Sequence, residues 1–450
     1  MTQETYDLIA IGTGSAASSV ITRCAEAGWK IAVIDEREFG GTCALRGCDP
    51  KKVLAGAAEL MDWNERMQGK GIQGQARIDW SELMAFKRTF TESIPRASED
   101  KFKQAGMDTF HGKASFVDED HIQVGEEVLH GKHILIATGA RPAPLQIEGS
   151  EHLLYSDDFL DLEQLPDRLV LVGGGYIAFE FAHIAARAGT EVHILHRSEQ
   201  PLKSFDAELV EALLQKSKEI GIHVHLNAEV KSIRQEGNAY VVHGTRNGAD
   251  HQWQCGLVVH GAGRVPNVDG LELERANVSY SKKGITVNEY LQSESNPRVY
   301  AAGDVTDTKG LPLTPLAGQE SRAVSFNLLE GNQHKPNYKV MPSIVFTVPA
   351  LGSVGMSTEQ AEKEGYEVQV NDMSKWYTYK RTHEKVAMAK VVIDKSTGRI
   401  LGAHVLGSKT EELINLFAMA IQFNLTTDQL NTMNFAYPTA ASDLGSLLQK

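Results

Sequence analysis

The sequence predicts an α/β fold: two glycine-turn units built on parallel strands, followed by an α+β tail. Three observations carry this. YDLIAIG (residues 6–12) is a short apolar, β-branched run that enters GTGSAA. The same order of strand, glycine turn, helix and strand returns at 168–195 in RLVLVGGGYIAFEFAHIAARAGTEVHIL. From about residue 339 the pattern changes to short strands around one amphipathic helix, which suggests a separate α+β domain. At 450 residues the chain is also too long for one ordinary core.

In chain order, SSVITRCAEAG has helical spacing and WKIAVIDE is the second strand of the first unit. Residues 51–110 read as mainly helical, through KKVLAGAAELMDW and ELMAFKRTFTESIPRASEDKFKQAG. FHGKASFVD and KHILIATGA follow as strands, and ARPAPLQIEG has the Pro and Gly density of a connection. GLVVHGAGRVPN closes the second unit, RVYAAGDV is a further strand, and Ala317 to Leu329 forms a helix. In the tail, SIVFTV, AMAKVVID and ILGAHVLG are strands and EELINLFAMAIQF a helix. The expected division is 1–145, 146–265, a central segment 266–338 that completes the first domain, and 339–450.

Composition bounds the function. Lys+Arg of 45 against Asp+Glu of 58 gives a net charge of -13, which argues against nonspecific nucleic-acid binding. No apolar stretch is long enough to span a bilayer, and MTQETYDLIAIG lacks the basic start and apolar core of a signal peptide. A cytoplasmic location is therefore expected. The four cysteines, Cys24, Cys43, Cys48 and Cys255, are too few and too scattered for a structural disulfide framework.

Each glycine turn has the pattern of a dinucleotide cradle in a Rossmann-like unit. Gly12 and Gly14 permit a sharp turn and close approach of a pyrophosphate to a helix N-terminus, and Ala17 supplies the small residue for helix–strand packing. Asp35, ending the next strand, is placed to accept ribose hydroxyls. The second cradle uses Gly173, Gly175 and Ala178, but its second strand ends in His196 and Arg197 with Lys203 nearby. Cations there suit a 2′-phosphate, so NADPH is expected over NADH.

GGTCALRGCDPKK (40–52) sets Cys43 and Cys48 five positions apart. A zinc site needs two more ligands, and no second cysteine pair follows. A structural disulfide would close a very small loop and gain little. A redox pair is the favoured reading, with the following helix lending its N-terminal dipole to a thiolate.

With these landmarks in order (GTGSAA, GGTCALRGC, ATG at 137–139, GGGYIAFE and AAGDV), the chain resembles the flavin disulfide reductases, among them glutathione reductase, dihydrolipoamide dehydrogenase and mercuric reductase. The resemblance implies FAD at Gly12, Gly14, Ala17 and Asp35, with Thr42, Gly139, Arg264 and Asp304 also at the cofactors. It implies Cys48 as the thiol nearest the flavin and Cys43 as the one that attacks an external disulfide. Lys51 and Glu180 match an ion pair near the flavin, and Tyr176 an aromatic lid over the nicotinamide site. It also implies a homodimer and a C-terminal dimerisation domain.

The pattern breaks near the C-terminus. FAYPTAASDLGSLL places Tyr437 where glutathione and lipoamide enzymes carry a catalytic histidine, and Ser442 at the position of its carboxylate partner. A phenol gives up its proton near pH ~10 against ~6.5 for imidazole, so Tyr437 can donate a hydrogen bond but is a poor general base. The adjacent C-terminal cysteines of mercuric reductase are absent as well. The expected function is an NADPH-dependent flavoprotein reducing a disulfide through Cys43 and Cys48. Alternatives are reduction of a metal ion, a quinone or another acceptor, or a redox-responsive binding protein. KWYTYKRTH (375–383) reads as a strand alternating between core and solvent, or as aromatic lining of a substrate cleft.

Overall fold

The computed structural model describes residues 5–448. By internal contacts the chain divides into two units, the first comprising Met1–Pro50, Lys87–Ala143 and Arg264–Tyr338, the second Lys51–Phe86, Pro144–Gly263 and Lys339–Lys450.

In the first unit, strands Asp108–His111, Ile31–Asp35, Thr5–Ile11 and Glu127–Ile136 lie side by side in that order, all parallel. The last of them also pairs in parallel with Val299–Ala301 and antiparallel with His121–Val124. Strand alternation assigns the two faces. Leu8 and Ala10 join Val20 and Ile21 of helix Ser15–Glu26 and Val324 of helix Thr314–Glu330. Ile9 and Ile11 point the other way, to Phe116, Leu271 and Ile285. A parallel sheet covered on both faces leaves its strand ends as the open surface, and the glycine turn sits at the C-terminal end.

The second unit holds a four-stranded parallel sheet ordered Ile222–His225, Glu191–Leu195, Arg168–Val172 and Leu257–His260. Helix Tyr176–Arg187 is buried along most of its length against it. A three-stranded antiparallel sheet spans 228–255. The tail forms a five-stranded sheet of Ser343–Val345, Ala350–Gly355, Ile400–Gly407, Met388–Ile393 and Glu367–Asp372. Helix Thr410–Gln422 covers it through Leu413, Ile414 and Phe417. The expected α/β class with two parallel units and an α+β tail is the fold observed.

One local expectation fails. Residues 375–383 do not form a strand: Tyr377–Lys380 is a single helical turn, with Tyr379 fully buried beside Met373, Ala387 and Phe417. Trp376 packs against the same cluster while Tyr377 is exposed.

Candidate active site

The first cradle is fixed by close approach. Gly12 has φ 104°, and a Cβ there would lie 2.3 Å from the carbonyl oxygen of Ala137. The Gly40-Gly41 segment passes just as closely over Gly14: a Cβ on Gly41 would lie 2.3 Å from the Gly14 Cα. Gly14 caps helix Ser15–Glu26 without any side-chain hydrogen bond, and although the Ala17 N–H donates to the Gly14 carbonyl at 3.0 Å, the helix N-terminus suits an anion. Ala17, in the first turn, is fully buried.

Asp35 is held rigidly. Its Oδ2 accepts from the Thr13 N–H at 3.0 Å and the Thr13 hydroxyl at 2.6 Å, and Oδ1 accepts from the Arg37 N–H at 3.0 Å. Thr13 Oγ1 accepts in turn from the Gly40 N–H at 3.0 Å, tying turn, acid and cysteine segment together. Gly139 has φ 68° and its carbonyl accepts from the Asn267 N–H at 2.9 Å. Arg264 donates to the carbonyl of Ala140. Burial raises the pKa of Asp304 above the usual carboxylate range, Arg264 opposes that shift, and no described residue hydrogen-bonds the carboxyl. Thr42 is exposed on the short helix Gly41–Arg46.

Cys43 lies in that short helix and Cys48 opens helix Cys48–Arg66. Both are free thiols in the structure, and Cys48 is the largest single influence on the Cys43 thiol. The Cys43 thiol is pushed far up, first by Cys48 and then by burial, while Thr314 pulls it down. Cys48 opens a helix whose N-terminus favours a thiolate at that position. Thr314 Oγ1 lies 3.5 Å from Cys48 Sγ.

In the second unit, Lys51 Nζ donates to Glu180 Oε1 at 2.9 Å, and the Phe346 N–H donates to the same oxygen at 2.9 Å. The Glu180 side chain is 2% exposed and that of Lys51 13%, with the ammonium 4.4 Å from the Phe346 ring centroid. The second cradle repeats the logic of the first. A Cβ on Gly173, at φ 117°, would lie 2.2 Å from the Gly261 carbonyl oxygen, and Gly175 precedes helix Tyr176–Arg187 without capping it. Ala178 is fully buried, and a Cβ on Gly261 would already lie 3.0 Å from its Cβ. Tyr176, at the helix start, is exposed.

Arg197 and Lys203 are exposed beyond the strand end, and neither makes an ion pair among the described residues. Burial, with these two cations secondary, lowers the pKa of His196, whose Nε2 donates to the Gln200 carbonyl at 3.0 Å. His196 is thus a neutral packing element and the cationic character comes from Arg197 and Lys203.

Tyr437 is 79% exposed and precedes a cis proline. Three side or main-chain groups were not among the expected site residues: Thr13, Thr314 and Phe346. A Thr after the first cradle glycine and a Thr-Pro at a helix start are weak sequence signals for the first two. The Phe346 N–H carries none, because its role depends on tertiary placement.

Comparison with known proteins places this geometry. A family profile described as pyridine nucleotide-disulphide oxidoreductase matches residues 6–321, and the corresponding dimerisation domain matches 341–447. The chain is 33% identical over 446 residues to a mercuric reductase of Staphylococcus aureus, covering 98% of this chain and 81% of the relative. It is 33% identical over 446 residues to a glutathione reductase of Burkholderia cepacia, covering 98% of each. Among solved structures, a Cu(II) complex of the HOCl-induced flavoprotein disulfide reductase RclA of Escherichia coli superposes with a TM-score of 0.89, at 27% identity and 99% coverage of both chains.

Proposed function

We infer the reaction from a plain kinship: the chain belongs to the pyridine nucleotide-disulphide oxidoreductases. It is a flavoprotein disulfide oxidoreductase of the glutathione or mercuric reductase type, it carries the dimerisation domain of that family, and the described residues include no helix long and apolar enough to cross a membrane. Within that class we propose an NADPH-dependent reductase of a disulfide substrate, acting as a homodimer in the cytoplasm.

The observation that carries the reading is the pair of free thiols, Cys43 in the short helix and Cys48 opening the next, with Thr314 Oγ1 3.5 Å from the Cys48 sulfur. The proposed division is 1–145 with 266–338 for FAD, 146–265 for NADPH and 339–450 for the interface. The residues fit these groups. Gly12 and Gly173 leave no room for a Cβ, neither helix start has a side-chain cap, and Asp304 is a half-buried carboxyl with no hydrogen bond among the described residues. Bound FAD and pyridine nucleotide would supply an electron pair, passed as hydride from the nucleotide and delivered to the sulfur pair.

This chain's residues do the rest. Asp35, fixed by Thr13, accepts ribose hydroxyls, and Asp304 accepts a further cofactor hydroxyl. Arg197 and Lys203 neutralise a 2′-phosphate. Cys43 yields its proton to Cys48 and attacks one sulfur of the substrate, breaking its S–S bond and expelling a thiolate. Cys48 then gives that proton to the first departing thiolate and attacks Cys43 in the mixed disulfide, expelling the second thiolate, which takes a proton from solvent, and restoring the Cys43–Cys48 bond. The balance is one disulfide, one NADPH and one proton to two thiols and NADP⁺.

The test is anaerobic NADPH reduction followed by a panel of disulfides, with product thiols counted. Cys43→Ser and Cys48→Ser should each cut disulfide turnover by on the order of 10³-fold or more. Only Cys43→Ser should retain a long-wavelength thiolate–flavin absorption. Unchanged turnover in either variant refutes the reading.

The alternative of metal-ion reduction rests on the similarity to mercuric reductases. This chain lacks a C-terminal cysteine pair to hand a soft ion to Cys43 and Cys48.

A further inference from the structure

We propose that Asp120, His121 and His130 form a binding site for a borderline divalent cation, Zn(II) or Cu(II), on the hairpin of the first unit. Among the described residues this is the one group in which three such side chains bring a ligand atom each within 4.8 Å of the others. The placement follows from register. Strands His121–Val124 and Glu127–Ile136 are joined by Gly125, at φ 58°, and Glu126, and the two-residue turn pairs His121 directly with His130. A cross-strand pair brings both imidazoles to one face, and their rings stack with centroids 4.7 Å apart.

Asp120 stands between them. Its Oδ1 is 2.9 Å from His121 Nδ1 and its Oδ2 is 3.6 Å from His130 Nε2. Tetrahedral zinc with N and O ligands at ~2.0–2.1 Å needs ligand atoms about 3.3 Å apart. The separations to the two Asp120 oxygens lie either side of that value, and one ligand atom from each of the three residues lies within 4.8 Å of the others. The remaining partners orient the donors. His130 Nδ1 is 2.9 Å from Thr5 Oγ1; donating there leaves the Nε2 lone pair facing Asp120. Asp118 Oδ1 lies 2.8 Å from His121 Nδ1 and offers a fourth oxygen or a proton acceptor. Two imidazoles and one or two carboxylates suit Zn(II) and Cu(II) rather than Mg(II) or Ca(II). Arg298 Nε, 3.7 Å from Asp120 Oδ2, is a competing cation; its side chain is 48% exposed and can turn to solvent.

The site is separate from the nucleotide cradle. His130 pairs with Thr5 at the start of strand Thr5–Ile11, whereas Gly12 follows its far end, about 20 Å away at ~3.3 Å per residue. A cation there would cross-link two hairpin strands and, through Thr5, the first strand of the sheet.

The test uses FAD-loaded protein carrying Cys43→Ser and Cys48→Ser, so that no redox thiol competes, after chelator treatment and dialysis. Calorimetric titration with ZnCl₂ should show one equivalent bound, and Cu(II) added alone should give an electron-spin spectrum with nitrogen coupling from two imidazoles. Adding His121→Asn and His130→Gln should weaken that equivalent at least about 100-fold, on a tenfold-per-ligand minimum, and remove the nitrogen coupling. Asp120→Asn alone should weaken it at least about tenfold, and serves as the reading if the double histidine change costs FAD content. Absence of the equivalent in the parent, or its survival at equal affinity in the histidine variant, overturns the proposal. So does its loss on His223→Gln, which would place the cation at the second unit's strand histidines, where the His193 ring stacks on those of His223 and His225.

Discussion

Removing the Glu180 carboxylate tests whether the Lys51 pair is a built element or an incidental contact. At 2.9 Å and an effective dielectric near 20, the two charges attract by about 6 kcal/mol before desolvation is subtracted. Desolvation takes back much of that gain, since both side chains are largely out of water. Truncation is worse than neutral, because Glu180→Ala strands a buried ammonium and the Phe346 N–H together; about 3–5 kcal/mol is the expected loss. Glu180→Gln keeps a carbonyl for the Phe346 N–H and should retain about 1–3 kcal/mol of that. Unfolding entropy near 2.1 cal/mol/K per residue makes about 0.95 kcal/mol/K for 450 residues, so Glu180→Ala should lower the melting temperature by about 3–5 °C. The assay is thermal melting of the FAD-loaded protein with a double-mutant cycle against Lys51→Met. Coupling of at least ~1.5 kcal/mol is expected, as measured for close charge pairs. Additivity within ~0.5 kcal/mol, or equal losses for Ala and Gln, would refute the reasoning.

Arg197→Ala should raise KM for NADPH by about 10–100-fold while leaving that for NADH within about twofold, since a charged hydrogen bond to phosphate contributes ~1.5–3 kcal/mol; equal effects on both nucleotides would remove Arg197 from phosphate recognition. Burial would raise the pKa of Asp206, but Thr358, Lys390 and the Leu209 N–H together hold it below the usual carboxylate value. A depressed folded-state pKa adds stability above the unfolded value, near ~3.9, and loses it as pH falls through the folded value. Asp206→Asn should therefore lower the melting temperature at pH 7 and converge on the parent as pH falls through the folded-state value; a gap that is constant with pH would show that the charge contributes nothing. Tyr437→His should speed alkyl disulfides more than acidic aryl disulfides, by about 10²-fold or more for the former, the usual range for an added general acid. No change in that ratio would place Tyr437 outside substrate protonation.

The cradles were legible because their chemistry is local. A backbone that must pass within van der Waals contact of another chain segment requires glycine at Gly12 and Gly173, whatever the rest of the fold does. Asp35 and Arg197 could be located by counting to the next strand end. Residues 375–383 were misread because nine residues cannot separate one helical turn from a strand when the aromatics fall at 376, 377 and 379. What decides their conformation is the pocket around Tyr379, built from residues up to Phe417, far along the chain. The hairpin cluster was invisible for a similar reason: His121 and His130 become neighbours only once the turn at Gly125 sets the register.

The setting of the two cysteines bears on the missing histidine. A family histidine accepts the proton of an attacking thiol and returns it to the leaving thiolate. Here the first task has an internal candidate, because Cys48 opens a helix whose N-terminus favours a thiolate, and its Sγ lies 3.5 Å from Thr314 Oγ1. Only the second task is left unassigned. An acidic leaving thiol needs no proton on departure, whereas an ordinary alkyl thiol, with a pKa near ~8.5, leaves slowly without one. A tyrosine hydrogen bond lowers that barrier but does not abolish it. A phenol at Tyr437 in place of that histidine would favour acceptors whose products are stable as anions, which the ratio of alkyl to acidic aryl disulfide turnover tests directly.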